Sequence, residues 1–372
     1  VASDSKVEIH YERKENRVEW IAKEKERSAR AAKMSETLGF VAQYLYENTG
    51  FKQAALQIDN KEPVLNIDGR VLNKSTVDAF LISFYKKDLK LIELNAWDAQ
   101  ILRETGMVKD GQHGQYDTFR NRLMFPILSH TGKVIGFGGR KPSSDTNKEN
   151  PKYINSADSE VYSKGKALFG LYQNKKGIKD KEYAILVEGY FDVVTPYDDG
   201  VQNLVATCGT ALTDDQARLL KRYTDDCVIL RDGDEAGMKA TLRDVETLIR
   251  AGLKVKVCFL ESGDPDDFVR KHTGRGFIAF VEEKSLDAIV WRVMKDYDKT
   301  DIYKVEQSIK MAAKLLCDVK SPILRDEYIR MLTKADKLGN VAKSIKAEMS
   351  ELKKETKSDL NPKQVQDIIK YG

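Results

Sequence analysis

The fold of this chain is decided by the stretch Cys227-Val-Ile-Leu-Arg-Asp-Gly-Asp-Glu-Ala-Gly237. Its apolar run, Val228–Leu230, stops at Asp232-Gly-Asp234, which is typical of a buried parallel strand that ends in a crevice. The earlier segment Val187-Glu188-Gly-Tyr-Phe-Asp192 has the same form. Two aspartates separated by glycine can offer several oxygens to one hard cation, and Glu188 can complete the set. The pattern therefore predicts a Mg²⁺ site that holds substrate phosphates and supports phosphoryl chemistry.

Strands and helices alternate around this stretch, which indicates an α/β fold with a parallel sheet. We predict four strands, Ala184–Val187, Leu204–Ala206, Val228–Leu230 and Val255–Phe259, and two helices, Thr213–Tyr223 and Ala236–Arg250. The segment between the first two strands is predicted to be irregular. Ligands of such sheets bind outside the carboxyl ends of the strands, where six carboxylates would gather: Glu188, Asp192, Asp232, Asp234, Asp264 and Asp266. This context favours a metal site over the surface turn that an isolated Asp-Gly-Asp most often marks.

The bulk composition sets limits without identifying a partner. A chain of 372 residues exceeds the size at which one core keeps growing, so two or three subdomains are expected. Lys and Arg (62) barely outnumber Asp and Glu (58), so nucleic-acid binding would need a segregated basic face. The four cysteines have no Cys-x-x-Cys spacing, which indicates neither zinc nor disulfides. The sequence has no membrane-length apolar run and no signal-peptide pattern, so we predict a cytoplasmic protein.

Helical periodicity is clearest towards the two ends of the chain. Residues 1–35 are dense in charges of both signs, which favours a solvated lead-in over a nucleic-acid arm. Apolar residues at helical spacing predict a packed helix from Met34 to Glu47. After Phe277, three apolar stripes predict a small helical bundle: Val305, Ile309, Ala312 and Leu316; Leu324, Tyr328, Met331, Ala335 and Leu338; Val341, Ile345, Met349 and Leu352.

A basic β-hairpin precedes the acidic strands. Leu123–Leu128 and Lys133–Phe137 are predicted to pair across a turn, with Pro126 suited to an edge strand. Antiparallel pairing would bring four basic residues to one end of the hairpin: Arg120, Arg122, Arg140 and Lys141. Arginine there suits the clamping of phosphates, because its planar fork contacts two oxygens and stays charged when partly desolvated. The alternative is an ordinary solvated hairpin end.

A polar loop, residues 145–151, follows the hairpin and leads into Lys152-Tyr-Ile-Asn155. We predict that the loop carries this segment over the crevice, where Tyr153 stacks on a base and Lys152 meets a triphosphate. Lys164-Gly-Lys166 is a further candidate for nucleotide phosphate. The candidate nucleotide-binding residues are Lys152, Tyr153, Asn155, Lys164 and Lys166. A loop anchored by a buried tyrosine is the alternative.

Four motifs, in this order and spacing, resemble the TOPRIM domain of bacterial DNA primases of the DnaG type: Glu188-Gly-Tyr-Phe-Asp192, Ala206-Thr-Cys-Gly-Thr210, Asp232-Gly-Asp-Glu-Ala-Gly237 and Asp264-Pro-Asp266. Three earlier motifs resemble the amino-terminal subdomain of that family's RNA polymerase core: Phe119-Arg-Asn-Arg-Leu-Met-Phe-Pro-Ile127, Gly136-Phe-Gly-Gly-Arg140 and Pro151-Lys-Tyr-Ile-Asn155. The resemblance is strong from Phe119 to Lys271 and general outside that range.

The resemblance implies an α/β protein, α+β overall, in three parts. Residues 1–179 would form a mixed α/β subdomain with a basic template-binding face. Residues 180–275 would form the TOPRIM metal-binding subdomain with its mostly parallel sheet, and residues 276–372 the helical bundle. The family usually carries a zinc ribbon before this core and a helicase-binding module after it. Neither can be read in this sequence, so we expect a fragment that lacks both.

The implied activity is that of a DNA primase, a DNA-directed RNA polymerase that makes short RNA primers on single-stranded DNA from NTPs. Its cofactor would be Mg²⁺ or Mn²⁺. The implied catalytic residues are Glu188, Asp232 and Asp234, and the implied metal ligands are Glu188, Asp232, Asp234, Asp264 and Asp266, with Asp192 as a further candidate. The implied partners are the template, NTPs, the RNA primer product and, through the missing module, a replicative helicase of the DnaB type. No membrane is involved.

Two residues depart from the family's pattern. Arg231 stands where relatives have an aromatic or apolar residue and puts a cation beside the carboxylates, unless it lies on the other face of the strand. Pro196 interrupts the helix expected after Asp192. Two other functions stay open: a topoisomerase or nuclease with the TOPRIM signature, and a non-catalytic single-strand-binding scaffold. No tyrosine lies in a setting that resembles a topoisomerase nucleophile, and the basic hairpin favours the primase.

Overall fold

The computed structural model describes residues 4–48, 56–59, 62–67, 70–85, 91, 98–207, 209, 211–336 and 341–358. The chain forms two compact units, Val1–Gln173 and Asn174–Gly372. The finer division into three parts, with boundaries after residues 179 and 275, stays a prediction. Among the helices of the described residues, none has the length and apolar character that a bilayer crossing requires.

Within the described residues, the first unit combines helices with antiparallel sheets. The helices are α1 (Asp4–Asn48), α2 (Lys74–Phe80) and α3 (Ala99–Glu104). The strands are β1 (Leu56–Asp59), β2 (Glu62–Ile67), β3 (Arg70–Asn73), β4 (Ser83–Tyr85), β5 (Val108–Gly111), β6 (Gly114–Asp117), β7 (Arg122–Leu128), β8 (Val134–Arg140) and β9 (Tyr153–Asn155). They pair in the orders β1-β2-β3, β5-β6 and β4-β7-β8-β9.

The amino-terminal helix is longer than the sequence predicts. The solvated lead-in is confirmed for residues 21–30, which are exposed, but the segment is helical, since α1 begins at Asp4. Lys, Glu and Arg have high helix propensity, so a charged segment extends a helix that is anchored elsewhere. The anchor is the predicted packed helix, which is confirmed by five buried side chains: Met34, Leu38, Val41, Ala42 and Leu45.

The basic hairpin is confirmed. β7 and β8 are antiparallel, with Leu123 opposite Arg140, so the residues before β7 and after β8 lie at one end. The edge position predicted from Pro126 is wrong, since β7 lies between β4 and β8. β4 pairs only with residues 122–124, however, so the missing N–H of Pro126 costs no hydrogen bond to β4.

The second unit contains a mostly parallel sheet. Its strands are β10 (Tyr183–Val187), β11 (Leu204–Ala206), β12 (Asp226–Asp232), β13 (Lys254–Leu260) and β14 (Leu286–Asp287). The order is β11-β10-β12-β13-β14, with β14 alone antiparallel among these described strands. The helices are α5 (Phe191–Asp198), α6 (Asp214–Lys221), α7 (Glu235–Ala251), α8 (Pro265–Lys284), α9 (Ala288–Met294), α10 (Ile302–Asp318), α11 (Pro322–Asp336) and α12 (Val341–Ser358), while α4 (Leu171–Lys181) spans the boundary of the units.

The α/β class and the four predicted strands of this sheet are confirmed. The segment after β10 is not irregular, because it contains α5, which continues through Pro196. Proline cannot donate to the carbonyl of Asp192, and the helix ends two residues later at Asp198. Pro196 is therefore tolerated within α5 and does not prevent the helix.

The helical bundle is also confirmed. Ala312 and Leu316 of α10 and Ile345 of α12 are fully buried. The stripe predicted on α11 is partly wrong: Ile329 is buried and Met331 is exposed. α11 carries apolar residues on two adjacent faces, so packing rather than spacing selects the buried one.

Candidate active site

Glu188 follows the carboxyl end of β10 with 55% of its side chain exposed. The N–H of Gly189 donates to Asp192 Oδ2 at 2.8 Å, which turns the chain from the strand into α5. A Cβ atom on Gly189 would lie only 3.0 Å from the same oxygen. Glycine therefore permits the close approach that brings Asp192 back beside the strand end.

Asp192 is buried among other carboxylates, with 9% of the residue exposed. Burial, followed by the charges of Asp264, Asp266 and Glu188, raises the pKa of Asp192 to about 7, although the N–H of Gly189 opposes the shift. These four carboxylates are thus near enough to interact, and the structure brings them together at the strand ends.

A close group of carboxylates forms at the start of α8. Asp264 caps the helix, since its Oδ1 accepts from the N–H of Asp267 at 2.8 Å. Asp266 is fully buried and accepts from Thr195 Oγ1 at 2.7 Å. Oxygens of Asp264, Asp266 and Asp267 lie within 4.8 Å of one another. Sequence reasoning missed Asp267, although its position three residues after a capping aspartate is a signal that could have indicated it.

The two aspartates of the central motif take up the turn between β12 and α7. Asp234 is exposed and caps α7, with its Oδ1 accepting from the N–H of Gly237 at 2.6 Å. Asp232 is the last residue of β12, but its side chain lies outside the described part of the chain. A Cβ atom on Gly233 would lie 2.9 Å from the carbonyl oxygen of Leu260. Glycine is therefore required where β12 turns against β13.

Arg231 lies on the side of the carboxylates, not on the opposite face of the strand. Its Nη1 is 2.5 Å from Glu188 Oε1, and its Nη2 pairs with the carboxylate of Asp244. Although burial opposes it, the charges of Asp244 and Glu188 raise the pKa of Arg231, so the guanidinium stays charged. Sequence reasoning missed Asp244; an aspartate on the buried face of α7 is the signal that could have found it.

The donor set fits a hard divalent cation. The described side chains at these strand ends offer carboxylate oxygens, which Mg²⁺ and Mn²⁺ prefer. Glu188 and Asp234 are exposed and Asp264 is half-buried, so their oxygens are accessible. Asp266 is enclosed and bonded to Thr195, which makes it a support for the cluster more than an open ligand.

At the basic end of the hairpin, Arg122 is buried, with 3% of the residue exposed. Its Nη1 donates to the carbonyl oxygens of Gly139 at 3.2 Å and Pro151 at 3.0 Å, and its Nη2 donates to Asn150 Oδ1. Burial lowers the pKa of Arg122. This guanidinium anchors the polar loop to the hairpin, a role that the sequence does not predict.

Arg140 is also buried and supports the next strand. Its Nη1 donates to Tyr153 Oη at 2.6 Å, and its guanidinium carbon lies 5.4 Å from the centre of that ring. Lys152 is exposed, with Nζ 5.9 Å from the same ring centre. Tyr153 is therefore partly covered by two cations and is only half-buried.

The other basic candidates are more accessible. Arg120 is exposed over the ring of Tyr116, at 5.0 Å. Lys141 is half-buried and its Nζ donates to the carbonyl oxygen of Asn147 at 2.7 Å. Of the remaining candidates, Lys166 is exposed, whereas Asn155 and Lys164 are half-buried. Their roles towards template and nucleotide stay predictions.

Two family models match the chain. The model described as DNA primase catalytic core, N-terminal domain, matches residues 51–175. The model described as Toprim-like matches residues 185–269. Together they cover the hairpin with its basic end and the sheet with its acidic strand ends.

Individual DNA primases are also similar to this chain. A curated DNA primase of Clostridium acetobutylicum is 34% identical over 333 residues, which are 87% of this chain and 52% of that protein. The chain thus spans about half the length of this relative. The Escherichia coli primase catalytic core is 32% identical, with 71% of this chain and 86% of that chain covered and a TM-score of 0.63. A DnaG primase catalytic domain bound to single-stranded DNA is 28% identical, with 82% and 99% covered and a TM-score of 0.71.

Proposed function

Because this chain belongs to the bacterial DNA primase catalytic core family, we propose that it synthesises short RNA primers on single-stranded DNA by metal-dependent nucleotidyl transfer from NTPs. The observation that carries the proposal is the acidic cluster at the strand ends, where oxygens of Asp264, Asp266 and Asp267 lie within 4.8 Å of one another. Glu188, Asp234 and Asp264 offer accessible carboxylate oxygens to a divalent cation, and nucleotidyl transfer needs positioned cations more than it needs a histidine base.

The chain's own residues would hold and orient the ion. Bound Mg²⁺ or Mn²⁺ would neutralise charge on phosphoryl oxygens. Glu188, Asp232, Asp234 and Asp264 would bind it, with Asp266 beside them. The N–H of Gly237 holds one oxygen of Asp234 and leaves the other for binding.

The first unit would bind the nucleic acid. Arg120 and Lys141 are accessible enough to contact template phosphates, while the buried Arg122 and Arg140 would shape the surface around them. We assign nucleotide binding to Lys152, Tyr153, Asn155, Lys164 and Lys166, as the sequence suggests. A relative was solved with single-stranded DNA, which supports this template class. A cytoplasmic location and a DnaB-type helicase partner complete the proposal.

The test is incorporation of labelled NTPs on a single-stranded DNA template, with Mg²⁺, Mn²⁺ or EDTA. We expect RNA products only with a divalent ion, and a loss of about 100-fold or more in Glu188→Gln. Glu182→Gln, an exposed glutamate just before β10, is the matched control and should retain activity. DNA cleavage without NTP incorporation would favour a topoisomerase or nuclease. Single-strand binding with no turnover would favour a scaffold.

A further inference from the structure

The second unit contains a line of three charged side chains, in the order Glu188, Arg231 and Asp244. The guanidinium contacts Glu188 through Nη1 and Asp244 through Nη2. The side chains of Arg231 and Asp244 are only 6% and 2% exposed, whereas that of Glu188 is 55% exposed. The guanidinium is therefore held from inside the fold and bonded outward to a carboxylate that solvent reaches.

The charge of Arg231 alone would work against a metal site at Glu188, because a lone guanidinium repels a divalent cation. The buried carboxylate of Asp244 offsets that charge. What remains at Glu188 is a fixed N–H donor, since a planar guanidinium bonded on two sides has little freedom to reorient. Mutation of a residue that orients a metal ligand in this way typically lowers metal affinity by about 10- to 100-fold.

We propose that Arg231, braced by Asp244, is a positioning residue that holds one oxygen of Glu188 and so presents the other to the divalent metal. The inference rests on the proposed function, in which Glu188 is a metal ligand. Asp244 is buried on α7, so its effect on metal affinity would act entirely through Arg231 and Glu188.

The test replaces the buried pair together, as Arg231→Met with Asp244→Leu. Removing one member would leave a buried charge unpaired and destabilise the fold, whereas an apolar pair of similar volume is often neutral. Mn²⁺ affinity is measured by isothermal titration calorimetry on the full chain. The same pair is also replaced in Glu188→Gln, and Arg243→Met, an exposed change beside Asp244 on α7, is the matched control.

We expect the pair replacement to weaken Mn²⁺ binding by about 10-fold or more, and to have no further effect in Glu188→Gln. Unchanged or tighter Mn²⁺ binding in the pair variant would overturn the inference. An equal loss of Mn²⁺ affinity in the parent and in Glu188→Gln would also overturn it, because the pair would then have a merely structural role. If the pair variant fails to fold, Arg231→Lys replaces it, because lysine keeps the charge but cannot bridge both carboxylates; unchanged affinity there would also overturn the inference. Parental Mn²⁺ affinity in Glu188→Gln alone would overturn the metal role of Glu188, and this inference with it.

Discussion

At the scale of single residues, Asp192 makes the stability of the metal-free chain depend on pH. Its pKa is raised to about 7 by burial and neighbouring carboxylates, against about 3.9 in an unfolded chain. A carboxyl with a raised pKa stabilises the fold while it is protonated, and that contribution is lost as pH rises through the folded value. In EDTA, the free energy of unfolding should therefore fall between about pH 4 and about pH 7.

Asp192→Asn should remove part of this fall, because asparagine stays neutral and still accepts the N–H of Gly189. We expect the variant to gain roughly 1–3 kcal/mol over the parent at pH 8 and little at about pH 4. Chemical denaturation at both pH values in EDTA measures the difference. Asp180→Asn, a change at an exposed carboxylate on α4, is the control. Parallel curves for parent and Asp192→Asn would contradict the prediction.

At the scale of the hairpin, Arg122 is expected to act on stability more than on DNA affinity. Arg122→Ala would leave the carbonyl oxygens of Gly139 and Pro151 without their buried donor. We expect a loss of roughly 2–4 kcal/mol in the free energy of unfolding. Urea denaturation measures it. The control is Arg120→Ala, which changes an exposed residue at the same end and should cost less than about 0.5 kcal/mol. Equal stability of the two variants would show that the loop does not depend on Arg122.

At the scale of the whole molecule, DNA binding and primer synthesis should depend on different charged residues. Asp232→Asn with Asp234→Asn should abolish primer synthesis and leave single-strand affinity near the parental value, because asparagine still caps α7 but lacks the charge that divalent ions require. Arg120→Ala with Lys141→Ala should weaken binding to all single-stranded sequences. It should also make the slope of log affinity against log salt shallower by about 0.7 per lost phosphate contact.

Fluorescence titration with labelled single-stranded DNA and a primer assay distinguish the two variants. Saturating template should recover much of the rate in the Arg120 and Lys141 variant, since its damage lies in binding. The aspartate variant should not recover. Primer synthesis at the parental rate in the aspartate variant would contradict the metal role of Asp232 and Asp234. A parental salt slope in the basic variant would contradict the template role of Arg120 and Lys141.

Local patterns were enough to predict the parallel strands of the second unit, the basic hairpin and the carboxy-terminal helices. An apolar run that stops at carboxylates marked the ends of β10 and β12, and helical spacing marked the packed part of α1 and the helices α10 and α12. These patterns are local because one strand or helix shows its periodicity within a few residues. The failures arose where tertiary packing decided the outcome: α5 runs through Pro196, and α11 buries Ile329 instead of Met331, because packing selects among conformations that the local pattern allows.

The sequence by itself determined the α/β class, the family and the acidic residues at the strand ends, since these depend on neighbours along the chain. Only the tertiary structure decided which side chains those residues meet. Thr195 bonds to Asp266 across 71 positions, and Arg231 on β12 joins Glu188, which follows β10, to Asp244 on α7. Burial and ion pairing are properties of packed space, and residues far apart in sequence become partners only when the elements that carry them pack together.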